Sequence, residues 1–316
     1  MALQINKARR ENIWVKVALM APSGGGKTYS SLRLATGMKE ELKEMGEDYE
    51  ILMINTELKR GYYYANEFDY SIIDVQSPHN PEKYVDLIRE IEESGGNYIV
   101  ILDSSSHEWE GKGGCLELQQ AAGGSYQAWA KVTPRHNKFI EAIADSPLHI
   151  IATMRGKDQY AMETSDTGKI NVKKLGVGSK QREGFEYEFT TTFLLDQKSN
   201  MAESQKDNTH LFEDGGAELL SERHGKKLIR WANSGDGFTP VVRHSAPVAE
   251  LVKEAKSDII ELASELGGKD NEELMAEMKK YEPRGNPNKI NDLEKLVELK
   301  ETLELMKANK EQEEID

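Results

Sequence analysis

Ala21-Pro22-Ser23-Gly24-Gly25-Gly26-Lys27-Thr28 is the stretch that decides the fold. An apolar strand expected over 14–20, with Val15, Val17 and Leu19, runs into it, and a helical pattern through Leu32, Leu34, Ala35 and Met38 follows. In a strand-loop-helix of this spacing the main-chain N–H groups of the turn point inward and the helix adds the positive end of its dipole. Polyphosphate is the ligand such a turn suits. Ser23, Gly24, Gly25, Gly26, Lys27 and Thr28 are therefore the phosphate-binding candidates. The glycines let backbone approach oxygen with no Cβ in the way, Lys27 is placed for the β- and γ-phosphates, and the Thr28 hydroxyl is placed for Mg²⁺. Ala21 stands where the pattern usually has its first glycine.

Outward from the loop, strand and helix patterns alternate, as in an α/β fold whose mostly parallel sheet lies between helices. Strands are expected at 14–20, 51–55, 71–75, 98–102, 148–153 and 189–195, and helices at 27–45, 81–94 and 126–145. A polar break before His210-Leu211-Phe212 suggests that the 189–195 strand turns back in a hairpin. Residues 233–247 carry the Gly, Ser and Pro of a linker. Beyond it, Val248, Leu251, Val252, Ala255, Ile259, Leu262 and Leu266 fall at helical spacing and stop at Gly267-Gly268, and Leu296, Leu299, Leu303 and Met306 repeat at three and four. The expected organisation is a core over 1–232, a linker over 233–247 and a small α-helical C-terminal module over 248–316.

Composition removes several classes. With 316 residues and 38% hydrophobic content the chain supplies a sizeable core plus an appendage. One cysteine, Cys115, excludes an intramolecular disulfide framework and a cysteine-based zinc cluster, and the seven histidines show no ligand spacing. No apolar run approaches the length of a membrane span, and Met1–Lys7 lacks the apolar stretch of a secretory signal, so no membrane partner and a cytoplasmic location are expected. A net charge of −14 restricts any nucleic-acid binding to a local patch. Half of that charge falls in residues 251–316, which hold 18 acidic and 11 basic side chains. Such a run marks either a solvated amphipathic helix set or a surface for a protein partner.

Two further strands end in carboxylates. Tyr98-Ile99-Val100-Ile101-Leu102-Asp103-Ser104 places Asp103 at the carboxyl end of what is expected to be the strand neighbouring the loop's own, where it can hold the water shell of Mg²⁺ opposite Thr28. Ser104 rather than a second acid follows it, so a hydrolytic base must come from elsewhere. Glu57, just beyond Ile51-Leu52-Met53-Ile54-Asn55-Thr56, is one candidate, and Glu108 in His107-Glu108-Trp109-Glu110 is the other.

Phosphate loop, strand-Glu, strand-Asp-Ser and a strand ending Ala152-Thr153-Met154-Arg155 together resemble the RecA-like core of the P-loop NTPases, and more narrowly the phage-encoded AAA-type ATPases, some of which are single-strand annealing or recombination proteins. The resemblance covers roughly 12–232. It implies ATP with Mg²⁺ as ligands, and Thr153 or Arg155 as the sensor of the γ-phosphate. It also implies DNA-binding loops after the Asp103 and Arg155 strands. Lys180-Gln181-Arg182 followed by glycine is similar to a segment of DnaB-type replicative helicases that reaches a neighbour's γ-phosphate. On that likeness Arg182 would act in trans within a homo-oligomer, ring or filament. Pairing with Glu186, or direct contact with DNA, are the other readings of Arg182.

The later loop is distinctive on composition alone. Residues 155–182 hold seven basic side chains, among them Lys157, Lys169, Lys173 and Lys174, against three acidic ones, with Tyr160 as a stacking candidate. A basic, partly mobile loop with an aromatic suits single-stranded DNA, and an ordinary lysine-rich surface hairpin has the same composition. The earlier loop, Gly111-Lys112-Gly113-Gly114 through Gly123-Gly124-Ser125-Tyr126, is expected to be flexible. The functional expectation is an ATP-hydrolysing protein acting on single-stranded DNA in phage recombination or replication. The alternative is a nucleotide-gated adaptor, such as a helicase loader, working through its acidic tail.

Overall fold

Val17, Leu19 and Ala21 alternate along one strand with Ala18 and Met20, and the two sets enter two different buried clusters. A period of two with both sets apolar is what a strand covered on both faces requires. A computed structural model of the chain describes residues 7–164, 170–182, 184–213, 215–238, 248–268, 271–290 and 293–313. The chain divides into two units, Met1–Val241 and Val242–Asp316.

The first unit runs β1 (Lys16–Ala21), α1 (Lys27–Glu44), β2 (Glu50–Asn55), β3 (Ser71–Asp74), α2 (Pro81–Glu93), β4 (Tyr98–Asp103), α3 (Ser106–Glu110), α4 (Cys115–Ala121), α5 (Trp129–Ala144), β5 (His149–Thr164), β6 (Ile170–Ser179), β7 (Thr191–Leu195), β8 (Ala202–Asp207) and α6 (Glu222–Ala232). The sheet order is β3-β2-β4-β5-β1-β7-β8, with β6 paired to β5 alone. Every pairing from β3 across to β7 is parallel. One face packs Leu19, Met53, Ile101 and Ile151 against α1 and α6. The other packs Ala18, Ile54, Val100 and Ile150 against α2 and α5. This is the expected mostly parallel α/β class, and parallel order brings the carboxyl ends of β1, β2, β4 and β5 to one edge.

Near the other edge two buried side chains, Lys16 and His149, bond to backbone. The Lys16 ammonium donates to the carbonyls of Ser146 and Leu148, both at 2.8 Å, and burial pushes its pKa down to about 7. His149 Nδ1 accepts the Val15 N–H at 3.1 Å, tying the entry of β1 to β5.

Four details differ from the sequence expectations. First, β5 does not stop near Thr153 but continues to Thr164 and pairs antiparallel with β6, so most of the basic segment is a two-stranded hairpin rather than a loop. Ile170-Asn171-Val172-Lys173 carries the alternation that signals it. Second, β4 is not hydrogen-bonded to β1, because β5 lies between them. Third, the hairpin after β7 returns through the polar Ala202–Asp207, not through 210–212. The Asp207 carboxylate accepts the N–H groups of Thr209 and Phe212 at 2.9 and 2.8 Å, which winds 208–212 into a turn and sends Phe212 onto Phe193. Fourth, the glycine-rich segment 111–126 contains α4.

Helices α1 and α6 cross at two glycines. A Cβ on Gly37 would stand 2.0 Å from the Glu222 carbonyl oxygen, and one on Gly225 would stand 2.1 Å from that of Leu34. Bidentate pairs, Arg33 with Glu222 and Arg230 with Glu41, flank the crossing. Since backbone cannot retreat as a side chain does, Gly225→Ala is expected to destabilise this unit by about 1–3 kcal/mol or more. An unchanged denaturation midpoint would contradict so close an approach.

The second unit comprises α7 (Val248–Glu265), α8 (Glu272–Tyr281) and α9 (Leu293–Glu313) around Ile259, Leu274, Leu296, Leu299 and Leu303. Gly267 and Gly268, at φ 104 and 62, end α7 where the sequence places its stop. Lys300 pairs with Asp258 and Lys307 with Glu265, each at 2.8 Å, so part of the acidic charge is neutralised between α7 and α9. Among the described residues no helix is long and apolar enough to cross a membrane.

Candidate functional site

At the carboxyl edge of the sheet a cleft of about 980 Å³ is lined by Ser23 through Thr28 and by Glu57, Asp103, Arg155 and Lys180. The loop owes its shape to glycine. Gly24 and Gly26 adopt φ of 83 and 76, in the left-handed region that side chains disfavour. A Cβ on Gly25 would lie 2.6 Å from that of Ala21, and one on Gly26 would lie 2.8 Å from Asn200 Oδ1. Helix α1 begins at Lys27 with neither a side-chain cap nor an acidic residue in its first turn. Its first amides and dipole are thus offered to an external anion.

Lys27 folds back, its ammonium donating to the carbonyls of Ala21 and Pro22 at 3.0 and 3.2 Å. Burial lowers its pKa, opposed by the charges of Asp103 and Glu57. The Thr28 hydroxyl donates to Asp103 Oδ2 at 2.7 Å, and Thr153 donates to Oδ1 at 2.5 Å. Asp103 is 2% exposed, and burial pushes its carboxyl above the ordinary range against those two hydroxyls. Register explains the trio: β5 places Thr153 beside Leu19 of β1 and just past Ala152, the partner of Leu102. Thr28 and Asp103 are the oxygen donors offered to a divalent cation, and the loop and helix amides those offered to phosphate.

Glu57 follows β2, two strands beyond β5, yet its carboxylate reaches the cleft. Arg155 grips it with Nε at 3.1 Å and Nη2 at 2.8 and 3.0 Å, and Arg60 stands 3.6 Å away. Glu108, the other candidate base, is fully buried away from the cleft. It is held by His136 at 3.0 Å, by the Cys115 thiol at 3.0 Å and by Gln181 at 3.3 Å. With no route to a bound phosphate it is set aside as base.

The other candidates separate. Thr153 is fully buried and does not line the cleft, so of the two sensor candidates only Arg155 reaches it. Within Lys180-Gln181-Arg182 it is Lys180 that lines this chain's own cleft, paired with Glu110 at 3.2 Å. Arg182 donates to Asn137 at 3.1 Å instead, and not to Glu186. Lys157 is exposed at the base of the hairpin. Tyr160 opposes Lys174 across the β5–β6 ladder, and Ala161 opposes Lys173. Lys169 lies outside the described residues.

Sequence reasoning missed the cleft's far wall: Tyr29, Arg33, Arg60, Asn200 and Leu219. Tyr29 had a signal in directly following Thr28. Asn200 had none, since it reaches Gly26 only because β7 lies beside β1; its neighbour Gln197 donates to the Ser23 carbonyl at 2.8 Å.

A family model described as an AAA domain matches residues 14–221, which span the loop, Glu57, Asp103, Arg155 and Lys180. No curated protein matches the chain.

Proposed function

We propose, from the premise that the chain belongs to the AAA domain family, that it is an ATP-hydrolysing switch acting on single-stranded DNA, working in phage recombination or replication. The observation that carries the hydrolytic part is the Thr28–Asp103 hydrogen bond beneath an uncapped helix start, with a buried ammonium resting on its own loop's carbonyls. Those groups fit Mg²⁺·ATP: oxygen donors for the cation, amides and Lys27 for the phosphates, and a glycine cradle that a Cβ would fill. Thr28 and Asp103 would hold the cation, which would supply neutralising charge to the phosphates.

Each residue's part follows from its place. Lys27 exchanges two carbonyl partners for phosphate oxygens, a charge-assisted contact stronger than the one it leaves. Thr153 keeps Asp103 aimed at Thr28 and is a positioning residue. Glu57 is the base that orients and activates water, and its grip by Arg155 holds it in one orientation. Arg155 is the group that senses the γ-phosphate, because any anion entering the cleft competes with Glu57 for its fork. Assembly into a ring or filament belongs to the same proposal.

The DNA part is supported by the hairpin, whose strand β5 carries Arg155 at its cleft end, so that movement of Arg155 is felt along it. ATP turnover measured with and without oligo-dT is the test. Stimulation by DNA that is lost in Lys157→Glu/Lys173→Glu supports the reading. Turnover indifferent to DNA contradicts it and supports the nucleotide-gated adaptor.

A further inference from the structure

Three helices each send one side chain into the same sealed space. Glu108 from α3, Cys115 from α4 and His136 from α5 are fully buried, and their carboxylate oxygen, Sγ and ring nitrogen lie within 4.8 Å of one another. We propose that this trio is a metal site, separate from Thr28 and Asp103, that holds a divalent transition-metal ion of the Zn²⁺ type and clips the three helices together.

The donor set is the first reason. A thiolate sulfur and an imidazole nitrogen beside one carboxylate suit Zn²⁺ and its neighbours in the first transition row, whereas Mg²⁺ takes oxygen. The spacing is close to what such an ion needs. Sγ and Nδ1 each stand 3.0 Å from Glu108 Oε1, and Glu108 Oε2 stands 3.1 Å from Nδ1. Ligand atoms around a tetrahedral zinc lie about 3.3–3.7 Å apart, so the trio opens by about half an ångström to take the ion.

Charge is the second reason. An ionised carboxylate sealed from water needs a positive charge beside it, and Glu108 is held by the Cys115 thiol, His136 and the Gln181 amide. Of these three only a protonated imidazole could carry one. That form has two N–H donors, and His136 Nε2 is buried with no hydrogen-bond partner. An ion on Nδ1 supplies the charge and leaves a neutral N–H at Nε2, which costs less to bury than a charged one. The rings of Trp109 and Phe185 pack on His136, with centroids at 5.0 and 6.2 Å, and this apolar shell strengthens the attraction between ion and ligands.

Binding forms a bond from Cys115 Sγ to the ion and breaks the S–H bond, whose proton leaves to solvent. Gln181 orients the carboxylate from outside, its amide donating to Glu108 Oε2 at 3.3 Å and to the Ser105 carbonyl at 3.0 Å. The clip also steadies one wall of the nucleotide cleft, because Glu110 at the end of α3 pairs with Arg155 at 3.5 Å and with Lys180 at 3.2 Å. Nothing in this site depends on whether the chain acts on DNA.

Cys115 is the chain's one cysteine, so a thiolate-to-metal charge-transfer band has a single possible source. The test strips the full chain with a chelator, returns it to excess Mg²⁺ and titrates it with Co²⁺, a coloured stand-in for Zn²⁺. The expected result is a band that saturates at about one ion per chain and is displaced by Zn²⁺. It should persist in Asp103→Asn, which impairs the nucleotide cation site, and be lost in Cys115→Ser. Zn²⁺ is also expected to raise the denaturation midpoint of the wild type and not that of Cys115→Ser. A wild type that shows no such band, or one that saturates with two chains sharing each ion, overturns the site and leaves a hydrogen-bonded cluster. An equal shift of the midpoint by Zn²⁺ in wild type and Cys115→Ser overturns it as well. The wild-type titration decides without any variant having to fold.

Discussion

Lys27→Ala is expected to lower ATP turnover by about 10²–10³-fold, the range seen when one preorganised charge at a developing anion is removed. Among the described residues Lys27 is the one ammonium placed within the glycine loop, and the burial that pushes its pKa down leaves little water to share its charge. Charge in such a place acts at low effective dielectric, so its loss is not made good by solvent. The fold should survive, because the side chain's partners are two carbonyls at the cleft surface rather than a buried acid. Steady-state turnover together with a denaturation midpoint checks both halves. Turnover within a few-fold of wild type would remove the phosphate-loop role.

Glu57→Gln is expected to reduce kcat by about 10²–10⁴-fold while leaving nucleotide affinity nearly unchanged. The split between the two parameters is the informative part. A base contributes only when water is attacked, whereas a residue that merely holds Arg155 in place would alter binding as well. Glu57 makes three contacts with Arg155, two of them to Oε1, and the amide of Gln keeps a carbonyl oxygen to accept from the same fork. Arg155→Lys separates the roles, since lysine keeps a charge but not the fork. If Glu57→Gln left kcat intact, the base would have to be sought elsewhere, and the buried Glu108 has no path to supply it.

Much of the fold was legible because its signals are local. The apolar runs at 14–20 and 98–102, the glycines after the first and the helical spacing of Leu32 to Met38 each report on neighbours a few residues away. Strand β8 was not legible, because Ala202–Asp207 is a polar edge strand that gains its place by pairing with β7 rather than by burying a face. The β5–β6 hairpin lies under a basic composition that an irregular loop shares, although Ile170 and Val172 mark its period.

The site divides in the same way. Ser23 through Thr28 belong to one turn and could be read from it. The Arg155–Glu57 pair joins residues 98 apart in sequence, and only the order of strands brings them together. Glu57 and Glu108 look alike as text. What distinguishes them is that His136, Cys115 and Gln181, from three other segments, close around Glu108 and leave Glu57 at the cleft.

Equilibrium binding of a fluorescent ATP analogue, titrated in Mg²⁺ and again in EDTA, is the most direct measure of whether Thr28, Asp103 and Lys27 form one nucleotide site. Tight binding by the wild type in Mg²⁺, a large loss in EDTA, and an Asp103→Asn variant whose affinity is low and no longer responds to Mg²⁺ are the results predicted. Equal affinity in both buffers, unaltered by Asp103→Asn, would contradict the account.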